Sequence, residues 1–120
     1  MQDDSMTQGE RKLAELIWDN EPVRSGDLVS MCFDRFEWKK STTYTVLKKI
    51  IELGIFQNEE SVVTSKISRS GYEQNQSESF LNKHFGGSLP KFLASFAQRK
   101  KYSEQEIEEM IKLIREYPEE

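Results

Sequence analysis

Residues 38–56, WKKSTTYTVLKKIIELGIF, decide how this chain folds. The stretch opens with two lysines and a run of hydroxyl residues, and its apolar residues then recur at helical spacing as far as Gly54. A left-handed helix end is expected at that glycine, and the apolar pair Ile55 and Phe56 behind it is typical of a strand. This is the expected form of a DNA-reading helix that leads into a β-wing.

The residues before this stretch predict two further helices. Thr7 and Glu10 have the spacing of a capping box, so a first helix is expected from about Gln8 to Asn20. Ser25 is the expected cap of a second, short helix over SGDLVSMCFDRF. The side chains expected to point inward from the second helix are Leu28, Met31 and Cys32.

The third helix is expected over about 41–53, with Ser41 or Thr42 as its cap. Its inner face should consist of Leu47, Ile50 and Ile51. A hairpin should follow, with a strand at 55–57, turn residues at 58–61 and a return strand at 62–68. The predicted fold is mainly α with a small β-hairpin, and residues 1–68 are expected to form a winged helix-turn-helix DNA-binding domain.

Three more helices are expected after the hairpin. Ser70 is the expected cap of a fourth helix, and the glycine pair at 86–87 should end it. Residues 88–98 should form a fifth helix. Ser103 and Glu106 repeat the spacing of a capping box and predict the start of the last helix.

The C-terminal half, residues 69–120, carries more large apolar side chains than three short helices can enclose. Burying each contributes roughly 1.5–3 kcal/mol, so a second copy of the same segment is the simplest cover. A two-fold dimer would also present two reading helices to two half-sites. We therefore predict a helical dimerisation domain whose interface consists of Phe80, Leu81, Phe85, Leu89, Phe92, Leu93, Phe96, Ile107, Met110, Ile111 and Ile114.

Positive charge gathers around the third helix of an acidic chain. The formal net charge is −4, yet residues 35–49 hold five bases and one acid, a local charge of +4. Lysines and amide groups at a helix N-terminus attract phosphates, and threonine side chains contact base edges. The predicted DNA-binding residues are Lys39, Lys40, Ser41, Thr42, Tyr44, Thr45, Lys48, Lys49 and, in the wing, Lys66.

The sequence offers little to an enzyme or a metal site. His84 is the only histidine and Cys32 the only cysteine, so neither a catalytic pair nor a structural zinc site is expected. We therefore expect no catalytic residue, no metal and no cofactor. No apolar run approaches the length of a membrane span, and residues 1–10 are too acidic and polar for a secretory signal. The expected location is cytoplasmic, without membrane contact.

The chain resembles the penicillinase repressors, the BlaI/MecI/CopY group of bacterial transcriptional regulators. Residues 38–56 are similar to the family pattern W-x-x-x-T-x-x-T-L-L-x-R-L-x-x-K-G, and GERKLAELIWDN at 9–20 is similar to its opening E-x-x-x-M-x-x-I-W. The stretch SFLNKHFGGSLPKFLASF at 79–96 carries the resemblance into the C-terminal half. The resemblance implies a homodimeric repressor of a palindromic operator in double-stranded DNA, with contacts from Ser41, Thr42 and Thr45.

Three departures from the family pattern bear on function. The hairpin between Gly54 and Tyr72 is shorter than in typical members and lacks their basic and aromatic residues, which predicts weaker wing contacts. The cysteine pairs of the copper-sensing branch are missing, so metal sensing is not expected. The antibiotic-responsive branch implies a regulatory protease that cuts an Asn–Phe bond, and the matching bond in this chain is Ser95–Phe96.

The residues leave one alternative open besides a DNA-binding repressor. The acidic net charge and the acidic wing, with Glu59 and Glu60, favour a winged-helix protein-interaction module that has lost DNA binding. The basic, hydroxyl-rich third helix favours the repressor. A gel shift with DNA from upstream of the gene would separate the two.

Overall fold

The computed structural model describes residues 5–97, 99 and 101–116. Six helices and a three-stranded antiparallel sheet within these residues confirm the predicted mainly helical class. No helix in this described part of the chain is long and apolar enough to cross a membrane. In chain order the elements are α1 Gln8–Asn20, β1 Val23–Arg24, α2 Ser25–Phe36, α3 Lys40–Glu52, β2 Phe56–Glu59, β3 Val62–Ser65, α4 Arg69–Phe85, α5 Leu89–Ala97 and α6 Glu104–Glu116.

Helix α1 has the predicted bounds because its capping box forms. The Thr7 hydroxyl accepts from the Glu10 amide at 3.2 Å, and the Thr7 amide donates to the Glu10 carboxylate at 3.0 Å. This exchange satisfies amide groups that the first turn leaves unpaired. One face of the helix is then buried through Leu13, Ala14, Leu16 and Ile17.

The predicted Ser25 cap was wrong because a short strand, β1, precedes α2. Arg24 is the N-cap residue, and it makes no capping hydrogen bond with its side chain. Ser25 is itself the first helical residue, is buried, and donates its amide to the Ser61 carbonyl at 2.9 Å. As predicted, Leu28 and Cys32 face the core, and Met31 packs against it half-buried.

The sheet has the order β1–β3–β2, and β1 was not predicted. Within the hairpin, Phe56 pairs with Ser65 and Glu59 pairs with Val62. A two-residue turn at Glu60 and Ser61, with φ values of 53° and 66°, joins the strands and matches their twist. Both strands are four residues long. β2 starts at Phe56 and ends at Glu59, whereas 55–57 was predicted, and β3 ends at Ser65, three residues before the predicted 68.

The start of α4 also differs from the prediction. Ser68, and not Ser70, caps this helix, because the Ser68 hydroxyl accepts from the Gly71 amide at 3.0 Å. Two charged side chains then tie α4 to α1. Arg11 pairs with Glu15 and Glu73, and Arg69 pairs with Glu15 and Asp19.

The chain has two compact units, which divide between Ser77 and Glu78. The first unit holds the core, in which the Trp18 ring packs at a tilt against Phe56 and Tyr72, with 5.2 Å and 5.9 Å between ring centres. The core consists of Leu13, Ala14, Leu16, Ile17, Val23, Leu28, Cys32, Leu47, Ile50, Ile55, Phe56, Val63 and Tyr72.

The division into a DNA-binding domain at 1–68 and a dimerisation domain at 69–120 stays a prediction.

The second unit comprises the end of α4 with α5 and α6. The predicted second capping box forms, since the Ser103 hydroxyl accepts from the Glu106 amide at 3.1 Å and the Ser103 amide donates back to the Glu106 carboxylate at 3.4 Å. Phe92 lies at the centre of an aromatic cluster with Phe80, Phe85 and Phe96. Even so, no residue of α5 or α6 is buried.

Candidate DNA-binding surface

Helix α3 separates its buried side chains from a continuous polar face. Thr43, Leu47 and Ile50 are buried and hold the helix against α1 and α2. Tyr44 is 39% exposed, which leaves its ring part in the body and part in solvent. The other predicted DNA-binding residues of this region are all exposed, namely Lys39, Lys40, Ser41, Thr42, Thr45, Lys48 and Lys49.

The N-terminus of α3 has no side-chain cap. Lys39 is the N-cap residue, and its side chain makes no capping hydrogen bond. The predicted cap at Ser41 or Thr42 was wrong, because both residues already lie inside the first helical turn. Amide groups of that turn therefore keep their positive partial charge beside two lysines. Such a helix start binds anions, phosphates among them.

The Thr45 hydroxyl is fixed by the helix itself. It donates to the Ser41 carbonyl at 2.8 Å, one turn back. Its proton is committed to that bond, while its oxygen remains free to accept and its methyl group belongs to an exposed side chain. Thr45 therefore presents an acceptor and an apolar contact, which suit base edges in a major groove.

Thr43 is a buried residue of this helix to which the sequence analysis assigned no role. It is fully buried, and its hydroxyl makes no hydrogen bond of standard geometry with any described residue. The hydroxyl faces Cys32 of α2, where burial raises the pKa of the thiol and the Thr43 side chain partly opposes that rise. The spacing of Thr43 with Leu47 and Ile50 was the available signal for an inward position.

The wing offers few positive groups at its tip. Glu59 and Glu60 are exposed there, next to the turn of the hairpin. Lys66, the predicted wing contact, lies past the end of β3 and donates its amide to the Ile55 carbonyl at 2.7 Å. That bond places Lys66 at the base of the hairpin, away from the tip.

In the part of the chain that the structure describes, the predicted dimerisation residues are half-buried or exposed. None is buried, and the side chains of Phe80 and Ile114 are 47% and 53% exposed. An almost wholly apolar groove of about 280 Å³ lies in the second unit. Its lining residues are Leu93, Ala97, Tyr102, Ile107, Met110, Ile111 and Ile114.

The predicted cleavage bond lies inside α5. Ser95 and Phe96 are both exposed, and the Ser95 hydroxyl donates to the Phe92 carbonyl at 2.6 Å. Phe96 packs edge-on against Phe92, with 4.9 Å between ring centres. The bond is therefore on the surface of the unit but in helical backbone.

Comparison with known proteins decides the family. The sequence profile of the penicillinase repressors matches residues 6–116. The chain belongs to the penicillinase repressor family. It is 23% identical over 116 residues to the penicillinase repressor of Bacillus licheniformis, and the match covers 93% of this chain and 91% of that protein.

Membership in the penicillinase repressor family confirms the predicted family and places the chain among transcriptional regulators. Members of this family are regulators and not enzymes, as the sequence predicted. The winged helix-turn-helix found in the first unit is consistent with that role.

Proposed function

We propose that this protein is a homodimeric bacterial transcriptional repressor that binds a palindromic operator in double-stranded DNA through α3. One observation carries the proposal: the exposed face of α3 consists of lysines and hydroxyl residues, while its opposite face is buried in the core. The helix is therefore held rigidly from behind and presents groups that suit a nucleic acid in front.

Phosphate binding is assigned to the lysines and to the uncapped helix start. Lys39 and Lys40 lie at the N-terminus of α3, where exposed side chains and unpaired amides attract an anion together. Lys48 and Lys49 extend the positive face toward the end of the helix. These contacts fix the position of the protein on the duplex and depend steeply on salt.

Base reading is assigned to the hydroxyl residues of the same helix. Thr42 and Thr45 are exposed one turn apart and offer acceptors and methyl groups. Ser41 and Tyr44 flank them. Because the wing tip is acidic, most sequence reading should fall on α3, and Lys66 should add only a contact near the hairpin base.

The homodimer is supported by the uncovered apolar side chains of the second unit. An apolar groove and half-exposed isoleucines are unusual on a protein that stays monomeric. A second copy would cover the same set of side chains on both partners, as an isologous interface does. Two copies of α3 would then read two half-sites.

Selection of bound duplexes from a random pool tests this proposal. Enrichment of a palindromic sequence at moderate salt supports a dimeric repressor that binds two half-sites, whereas a lack of any enriched sequence contradicts the proposal. T42V should relax sequence preference at about one base pair per half-site, with roughly 1–3 kcal/mol of lost discrimination.

Lysine variants separate phosphate contacts from base contacts. K39Q and K40Q should each weaken specific and random DNA alike and reduce the salt slope by about one. K91Q, in exposed α5, is a matched control that should leave DNA binding unchanged. If T42V, like K39Q, weakened binding to specific and random DNA by the same factor, the assigned roles would be contradicted.

One observation favours a second candidate function. The acidic wing tip at Glu59 and Glu60 suits a protein surface better than a phosphate backbone. If the folded protein shifts no duplex at low salt, an interaction module on a winged-helix scaffold is the better description.

Regulatory proteolysis between Ser95 and Phe96 stays a prediction. Because the bond is in the last turns of α5, a protease would need local unwinding of that helix. Mass spectrometry of the protein from induced cells would reveal the two fragments, and an intact chain in derepressed cells would exclude this route.

A further inference from the structure

Helix α6 of the second unit has an apolar stripe that its own chain leaves half-exposed. Ile107, Ile111 and Ile114 are each between 39% and 53% exposed, although they line the apolar groove. A helix with such a stripe is stable in water only when another surface covers it.

Charged residues border this stripe in an ordered way. Three charged residues and one isoleucine lie in one line along the helix, because their spacing is i, i+4, i+7 and i+11. They are Glu104, Glu108, Ile111 and Arg115. The N-terminal half of α6 is acidic along this line, and the C-terminal half is basic. Within the described residues, Glu104, Glu108 and Arg115 take part in no ion pair.

We propose that α6 packs antiparallel against α6 of a second copy, in a register set by Glu104 and Glu108 of each copy facing Arg115 of the other. This inference rests on the proposed homodimer and specifies its central contact. With the helix midpoints near Met110 together, the acidic half of one copy lies beside the basic half of its partner. Both symmetry-related ends are then complementary, as a two-fold axis requires.

A parallel pairing of the two helices is disfavoured by the same residues. It would place Glu104 and Glu108 beside their own copies and Arg115 beside Arg115, so like charges would meet at both ends. The helix dipoles would also point the same way in a parallel pair and opposite ways in an antiparallel pair. Charge therefore selects direction and register, while the isoleucines supply the apolar contact.

Charge reversal tests this register by sedimentation equilibrium at low salt. R115E alone, or E104R/E108R alone, should raise the dimer dissociation constant about tenfold or more, because attraction becomes repulsion at both ends. The combined variant E104R/E108R/R115E should return to within about threefold of the original chain. An equimolar mixture of the two separate variants should form heterodimers in preference to either homodimer.

The control is E109R, which changes the charge by the same amount as E104R on the opposite face of α6. It should leave the dissociation constant unchanged, and circular dichroism should show intact helices in every variant. If R115E dimerises as well as the original chain, the antiparallel register is wrong while the homodimer stands. If the original chain stays monomeric at roughly tens of micromolar, the proposed homodimer and this inference both fail.

Discussion

The unit that ends at Ser77 buries a continuous core of thirteen residues, whereas α5 and α6 bury none of their side chains. Both regions are built from short amphipathic helices, and each contains one helix that starts with a capping box. They differ in whether the chain itself supplies the second surface. The first unit has a sheet, three helices and the start of α4 to enclose its apolar groups, but the second has a cluster of aromatic rings and an open groove.

This contrast separates two kinds of stability in one small protein. The first unit should fold independently of protein concentration, because its contacts are internal. The second unit should gain most of its stability by association, so its order should depend on concentration. If the proposed homodimer forms, the protein would keep α3 folded at all concentrations and would couple DNA affinity to the dimer equilibrium.

The largest expected effect comes from a matched pair of leucine substitutions. L13A removes a fully buried side chain and should lower the free energy of unfolding by about 2–5 kcal/mol. L113A, on an α6 residue that is 56% exposed, should cost about 1 kcal/mol or less in dilute protein. Urea unfolding at low protein concentration measures both, and equal losses would contradict the difference in burial between the two units.

The next effect is on association. I111D places a carboxylate in the apolar stripe of α6 and should weaken the dimer roughly 100-fold, without changing the unfolding of the first unit. Q105D adds the same charge on the outward face of that helix and serves as control. Sedimentation equilibrium distinguishes them, and an undisturbed dimer in I111D would remove α6 from the interface.

The two capping boxes allow a smaller, matched test. T7A should lower the stability of the first unit by about 1 kcal/mol at every protein concentration, because the lost cap belongs to a self-sufficient fold. S103A removes the equivalent cap of α6 and should act mainly by shifting the dimer equilibrium. Unfolding curves at two concentrations that differ about 100-fold should separate these responses. A concentration-independent loss in S103A would mean that α6 is stable in the monomer.

The smallest effect follows from the buried thiol of the first unit. Burial raises the pKa of Cys32, so the folded state favours the protonated thiol. The stability from this group is complete below the pKa of the unfolded thiol and is lost as pH rises through the folded value. The alkaline loss of stability should therefore be steeper in the original chain than in C32A. Identical slopes between about pH 8 and pH 10 would show that Cys32 does not titrate differently on folding.

Local signals in the sequence predicted the regular elements well. The bounds of α1, the capping box at Thr7, the left-handed Gly54 and the second box at Ser103 all have the expected form. These features depend on residues within one or two turns of each other, so their physics is visible in a short window. The inward residues of α3 follow the same helical spacing.

Features that depend on distant residues were missed or misplaced. Strand β1 is two residues long and exists because Val23 pairs with Val63, forty residues away. That pairing turns Ser25 from a cap into a buried helical residue. Similarly, α4 is capped by Ser68 and not by Ser70, because the hairpin ends just before Ser68 and its hydroxyl accepts from the Gly71 amide.

Helix periods, the two capping boxes, the hairpin, and the lysines and threonines on one helix all follow from the sequence alone, because these are properties of neighbouring residues. The folded structure adds that α3 starts without a cap, that Thr43 is buried beside Cys32, and that Lys66 lies at the wing base. It also shows that, among the described residues, the apolar stripes of α5 and α6 contain no buried side chain. Burial is a relation between distant segments, and a window of sequence contains only one side of it.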